Sequence, residues 1–486
     1  MRDKIAGTKW EGHLFTVGGC CRDMVLGGDI TDVDLAIDLP GGGIEFADWL
    51  RSKRLTIGSP VKFEKYGTAM TRLKAFPHDD IEMVQTRAEK YTDRNSRNPE
   101  TAFGSLKDDC FRRDLTINSL YYDISNGKII DLTGRGLSDI RNRIICTPSD
   151  PDSTYDDDPI RILRTIRFAT RLGWELPADI FDSMKRNVSR LSIIKPERMR
   201  GEFEKILASR NVDQALRLLR ECGVLPYIMP QLELLCGRQS DGSPLWNKTL
   251  SVLSALSDKS MTLRMAALLY NMLQLPGKLH QRGRHVMIQA MLSLKYHNPF
   301  IKEVLLLAEH ALDTRSWGAL AENMKDADLR KLQYACGKPE RLDALLTLIE
   351  AINKHDMPRQ TEAIRIRLEE LHRAGTDMYT YHLPFAERRI KKLLHITPGP
   401  LVEDTLRYML DMAFINPLRS RQEFERLVSE YHPQEAAAIR MPESQTPPDR
   451  NQARNTRRKT PQRRWHRSRK GRKSPGAKDT KEKNNV

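Results

Sequence analysis

With 486 residues, 80 Lys and Arg against 64 Asp and Glu, and 39% hydrophobic residues, the chain has room for about two to four domains, which excludes a small stapled module. Its seven cysteines (Cys20, Cys21, Cys110, Cys146, Cys222, Cys236 and Cys336) show no C-x-x-C spacing and read as reduced thiols, not as a zinc or redox pair. No run approaches the roughly 18 apolar residues of a membrane span, and the start, MRDKIAGTKW, lacks the apolar core of a secretory signal, so the expectation is a soluble, cytoplasmic protein.

Residues 1–145 mix short β-rich runs (LFTVGG, VDLAID, TAMTRL, DIEMV, KIIDL) with Gly, Pro and Asp punctuation and a few helical stretches. That pattern predicts an α/β head with a small mixed sheet. After Thr147 the apolar residues fall at helical spacing, as in Ile162, Ile166 and Ala169, then Ile206, Leu216, Leu218 and Leu219, and this continues to about Tyr431. The fold class is therefore α+β, an α/β head followed by an all-helical remainder that divides near residues 240–300. Beyond Met441 the chain is almost devoid of apolar residues and predicts disorder. Residues 449–486 alone hold 15 Lys and Arg against 3 Asp and Glu, so most of the net +16 charge sits in this tail.

The first chemical motif is FTVGGCCRDMVLGGDITDVDLAID, read as strand, Gly-Gly turn, short helix and a second strand with Asp32 and Asp34. Residues two apart on a strand share a face, so both carboxylates converge. Two hard oxygen ligands suit Mg²⁺, and a pair of such ions can activate an attacking hydroxyl while stabilising the leaving oxygen. Gly18 and Gly19 allow backbone N–H groups to approach a triphosphate, with Arg22 one helical turn on. An exposed D-x-D turn is the competing reading of the same residues.

G-G-x-x-R-D followed by D-x-D resembles the nucleotidyltransferase superfamily, in its branch of tRNA nucleotidyltransferases (CCA-adding enzymes, class II) and bacterial poly(A) polymerases. The resemblance makes Asp32 and Asp34 the holders of two Mg²⁺ ions and assigns Gly18, Gly19, Arg22 and Asp23 to the nucleotide. Ile81 to Arg87, with Glu89 and Tyr91, is similar to the strand that brings the family's third carboxylate, here Glu82; an exposed strand residue or a partner of Arg87 is the alternative. Arg112-Arg113-Asp114-x-Thr116-x-Asn118 matches the second nucleotide-binding motif. There the resemblance implies that Arg113 and Asp114 contact triphosphate and sugar and that Asn118 supports the loop.

In YDDDPIRILRTIRFA, residues 155–169, Pro159 opens a helix behind Asp residues that can cap it, and Asp158 and Arg161 lie three apart on one face. A carboxylate accepts and a guanidinium donates, so the pair can complement the amino group and ring nitrogen of C or A, whereas G and U present the opposite pattern. An N-capped helix with a local Asp–Arg ion pair is the plainer alternative. The segment corresponds to the family's E-D-x-x-R motif, with Asp157 in place of Glu. Arg164 and Arg167 extend a basic stripe toward incoming phosphates or the RNA end. Glu197 and Arg198 match a final neck motif and are assigned a structural role.

Residues 146–230 then read as a helical neck, 231–300 as a helical body, 301–440 as a helical RNA-binding tail domain and 441–486 as a basic extension. In the body, Trp246, Tyr270 and Asn271 stand where a phosphohydrolase of the H-D type would have His, His and Asp, which predicts a scaffold without hydrolase chemistry. His280 and His285 read as surface residues. The extension suits RNA-backbone binding, with a solubility tail as the alternative. The implied activity is template-independent addition of C and A to tRNA 3′ ends from CTP and ATP, with no membrane and no obligate protein partner. Poly(A) synthesis on RNA and a catalytically silent RNA-binding paralogue are the rivals.

Overall fold

The computed structural model describes residues 1–431 except 31–32, 91–99, 238–243, 276–281, 313–323, 354–357, 384–386, 395–398 and 418–419. The basic extension, His280 and Asp32 therefore lie outside the described residues.

The head is built on a mixed sheet whose strands are β1 (Leu14–Val17), β2 (Asp34–Ile37), β3 (Thr56–Phe63), β4 (Thr68–Leu73), β5 (Phe76–Gln85), β8 (Leu120–Asp123) and β9 (Lys128–Asp131). Their spatial order is β3-β4-β5-β2-β1-β8-β9, and β6 (Arg87–Lys90) pairs separately with β7 (Glu100–Phe103). In the large sheet β2 and β5 run parallel, with Asp34 in register with Glu82. Alternation divides the two faces. Leu35, Ile37, Ala69, Ile81 and Met83 pack with Phe46 and Leu50 of the Gly42–Ser52 helix, whereas Phe15, Val17, Ala36 and Tyr121 face Cys110 on the opposite side. Fully burying each large apolar side chain contributes roughly 1.5–3 kcal/mol. The helix can lie this close because Gly43 has no side chain: a Cβ there would stand 2.4 Å from the Gly67 carbonyl oxygen.

All five β-rich runs read from the sequence contain strands, but β3, β6, β7 and β8 were not among them. β3 is an edge strand containing Gly58 and Pro60, residues that an interior strand disfavours and an edge tolerates.

From Pro151 onward the described elements are α- and 3₁₀-helices, in agreement with the expected all-helical remainder. Ile162, Ile166, Ala169, Ile206, Leu216 and Leu219 are buried as their spacing predicts. One apolar cluster runs from Tyr155 to Leu371, and a second from Met378 to Val428. Trp246 and Tyr270 lie inside the first, and buried Asn271 donates to the Thr249 hydroxyl at 2.9 Å. Those positions are thus filled by packing. Among the described residues no helix is long and apolar enough to cross a membrane.

Candidate nucleotide site

β1 ends at Val17, and Gly18 turns the chain at φ 82°, a conformation that a side chain resists, directly into the Gly19–Leu26 helix. The first N–H groups of that helix have no partner within it. Arg22, expected to meet phosphate, is buried and braced: Nε and Nη2 donate to Asp23 at 2.8 and 2.9 Å, and Nη1 donates to Asn118 Oδ1 at 2.7 Å. Its guanidinium also lies over the Phe168 ring, 5.2 Å from the centroid. Arg22 therefore ties the Gly-Gly turn to the neck, and Asp23 is part of that tie.

Asp34 opens β2 beside the Gly-Gly turn, opposite Val17 in the β1 register, and Glu82 is its partner one strand over. β2 begins at Asp34, so the expectation that Asp32 shares its strand falls on a residue outside the described set. Among the described residues no group of three or more His, Cys, Asp or Glu is arranged to hold a metal ion. The Asp34–Glu82 pair nevertheless offers the hard carboxylate oxygens that Mg²⁺ takes, on adjacent strands about 4.8 Å apart.

The second motif leaves the Leu106–Phe111 helix, which Ser105 and Asp108 close at its N-terminus as a reciprocal capping box. Buried Asp109, which the sequence reading passed over, organises it: Arg113 Nη2 and the Tyr121 hydroxyl each donate to its Oδ2 at 2.7 Å, and Arg112 donates to Oδ1. Burial alone would raise the Asp109 carboxyl. The Arg113 and Arg112 guanidiniums and the Tyr121 hydroxyl outweigh it and hold the group well below the usual carboxylate range. Glu89 takes a second Arg112 donor at 3.0 Å. Asp114 is also buried. Its Oδ1 accepts from Leu115 N at 2.9 Å and from Asn118 Nδ2 at 3.2 Å, and its Oδ2 accepts from Arg164 Nε at 2.7 Å. Burial would raise this carboxyl too, and Arg164 and Asn118 keep it below its ordinary value.

Arg164 lies on the Ile160–Leu172 helix of the neck, so this ion pair crosses from head to neck. Glu202 continues it, accepting from Arg167 Nε at 2.8 Å and lying 3.4 Å from Arg164 Nη1. The basic stripe is therefore largely neutralised by Asp114 and Glu202. Asp158 and Arg161 depart further from expectation. Asp156 and Asp157 do not cap the Arg161 helix; they end a separate helix, Pro151–Asp157, whose own cap is Asp150. Arg198 donates to both Asp158 oxygens, at 2.9 and 2.7 Å, and Arg161 donates to the carbonyls of Arg112 at 2.5 Å and Thr154 at 3.2 Å. A local Asp158–Arg161 ion pair is not what holds them.

Both still face one space. A cavity of about 540 Å³ is lined by Tyr66, Arg113, Asp158, Arg161, Arg164 and Arg198 among others, and a neighbouring one of about 820 Å³ by Gly18, Gly19, Asp34, Arg113, Lys205 and Arg210 among others. Arg113, Asp114 and Arg164 line both, so the two adjoin. Asp109, Glu202 and Arg198 complete this site. The i, i+4 spacing of Asp109 and Arg113 could have revealed the first; Arg198 reads from the sequence as a structural neck residue, but its bond to Asp158, 40 positions away, and that of Glu202 to Arg167, 35 away, leave no local signal.

Residues 14–146 match the family model of the poly A polymerase head domain, and residues 173–235 match that of the probable RNA and SrmB-binding site of polymerase A. The tRNA nucleotidyltransferase cca1 of Schizosaccharomyces pombe is 36% identical over 239 residues, 46% of this chain and 47% of that protein. The CCA-adding enzyme of Bacillus pumilus is 36% identical over 210 residues, 43% of this chain and 49% of that enzyme. The chain spans about half the length of these curated relatives. In fold, it is similar to the Bacillus stearothermophilus CCA-adding enzyme in complex with CTP, at a TM-score of 0.65 and 22% identity, over 87% of this chain and 94% of that one.

Proposed function

We propose, for a chain whose residues 14–146 match the poly A polymerase head-domain model, that it is a template-independent RNA nucleotidyltransferase that adds C and A to tRNA 3′ ends from CTP and ATP. The observation that carries the reading is the pair of adjoining cavities, one lined by the Gly18–Gly19 turn and Asp34, the other by Asp158 and Arg161, with Arg113, Asp114 and Arg164 lining both.

In this reading the RNA 3′-hydroxyl attacks the α-phosphate of the bound nucleotide and pyrophosphate leaves. Asp34, Glu82 and Asp32 are the residues that would hold Mg²⁺. When bound, Mg²⁺ supplies positive charge at the reacting phosphate and favours the attacking alkoxide. The turn and helix start at Gly18–Gly19 present N–H donors to the triphosphate. Arg113, fixed by Asp109 and Tyr121, adds a planar cation whose position costs little ordering when substrate arrives. In the smaller cavity, each Asp158 oxygen keeps a lone pair beyond its bond from Arg198, and Arg161 keeps donors beyond the two it uses. One accepts from the amino group of C or A while the other donates to the adjacent ring nitrogen. Catalysis is then positioning plus charge neutralisation.

The test is extension of a tRNA ending at the discriminator base, with Mg²⁺ and CTP, ATP, GTP or UTP singly and together, and sequencing of the products. Addition of C, C and A followed by arrest is the expected result. Long A runs without use of CTP would move the activity to poly(A) synthesis, and RNA that binds but is never extended would establish a silent paralogue.

A further inference from the structure

The sheet face that bears Asp34 and Glu82 does not end at the carboxylates. The register continues the same cross-strand row from Asp34 to Glu82, Met70 and Val61, over β2, β5, β4 and β3. A parallel row runs from Ala36 through Val84 and Thr68 to Phe63. Over β1 and β8 this face is covered by the Leu106–Phe111 helix; among the described residues, Ile57, Val61 and Phe63 of β3 are 46%, 52% and 45% exposed, while Thr68 beside Phe63 is buried. Tyr66, 52% exposed in the turn between β3 and β4, joins this face to the smaller cavity, which it and Lys65 help to line.

In-line displacement says what approaches from that side. Attacking and leaving oxygens lie on opposite sides of the reacting phosphorus. The triphosphate is assigned to Gly18–Gly19 at the end of β1, so pyrophosphate leaves toward β1 and the hydroxyl arrives from the side of β5, β4 and β3. We propose that the exposed face of β3, with Val61 and Phe63 as the contacts and Lys65 and the Arg72–Asp80 ion pair at its margins, is where the last unpaired nucleotides of the RNA acceptor stack. Glu82 to Val61 is two strand spacings, roughly 10 Å. At about 3.4 Å per stacked nucleotide, that is the length of the last three. Bases stack on an aromatic ring without regard to sequence, which suits an end whose last letters change as it is extended. This inference rests on the nucleotidyltransferase reading, since that reading supplies the direction of attack.

The test uses the full chain with Val61→Ser and Phe63→Ala combined; both sites are solvent-exposed, so folding is not at stake. The KM for the RNA acceptor is expected to rise about tenfold or more while the KM for CTP stays unchanged, and Phe63→Tyr should restore the RNA value. In parallel, Phe63→Trp should show fluorescence quenching when a short unpaired oligocytidylate is added without CTP or ATP. An unchanged RNA KM together with a flat Trp signal overturns the proposal. So does a chain that sediments as a dimer and becomes monomeric on Phe63→Asp, because a second copy would then own the face. Quenching in a protein that extends no RNA with any nucleotide would keep the RNA surface and remove the polymerising activity instead.

Discussion

Arg161 shows what one residue can be asked to decide. The guanidinium is a planar fork, and two of its donors already hold the carbonyls of Arg112 and Thr154, which aims the remainder into the cavity that Asp158 also lines. Lysine keeps the charge and loses the fork. Arg161→Lys should therefore lower kcat/KM for CTP and ATP by roughly 10- to 100-fold, the worth of a hydrogen bond to a charged group. Loss of the two carbonyl bonds would also soften the neck, so the decisive readout is the ratio of CTP to UTP use. Merely structural damage slows all four nucleotides alike, whereas loss of base reading lets UTP gain on CTP. A variant with an unchanged ratio removes Arg161 from base selection. Asp158 and Arg161 were legible in the sequence by their spacing. Arg198 was legible as a structural neck residue, but its bond to Asp158 was not, because the two lie 40 positions apart.

At the level of elements, the motif strands and the Ile160–Leu172 helix follow from local pattern, while the joint between head and neck follows from none. Periodicity finds the buried stripe of Ile160–Leu172, but it sees only half of the pairs Asp114–Arg164 and Arg167–Glu202. The same holds for β3, whose Gly58 and Pro60 hide an edge strand from any alternation rule. The Leu106–Phe111 helix offers the clearest stability test, because Asp109 on it neutralises both Arg112 and Arg113. Asp109→Asn leaves Arg113 without its carboxylate and Arg112 with Glu89 alone, and should destabilise the protein by about 3 kcal/mol at neutral pH. Its pH signature has a definite sign. The folded-state carboxyl lies below the ordinary value of 3.8, so its contribution is complete above that pH and is lost as pH falls toward the depressed folded-state value. Thermal melts should show the gap between wild type and Asp109→Asn constant from pH 7 to about 5 and narrowing below about pH 4. A gap that does not depend on pH would mean that Asp109 contributes shape and not charge.

On the scale of the whole molecule, charge is divided between a body and an extension. Residues 1–448 carry 65 Lys and Arg against 61 Asp and Glu, and within the cleft Arg164 and Arg167 are matched by Asp114 and Glu202. On the proposed function, an RNA bound at the cleft would be held by placed contacts more than by a general positive field. Residues 449–486, with 15 Lys and Arg against 3 Asp and Glu, have the opposite charge balance. If they grip RNA, each phosphate they neutralise releases a counterion, and log K falls against log salt with a slope of about −0.7 per contact for single strands. Removing residues 449–486 should then weaken RNA binding most at low salt and make the slope shallower by several contacts' worth, while kcat at saturating RNA stays near wild type, because the cleft residues are untouched. The informative measurement is fluorescence anisotropy of a labelled tRNA across a salt series, for the full chain and the shortened one. Parallel lines would make the extension a solubility device and leave RNA recognition to the helical body. Converging lines would make it the grip that keeps an RNA end near the cleft between successive additions.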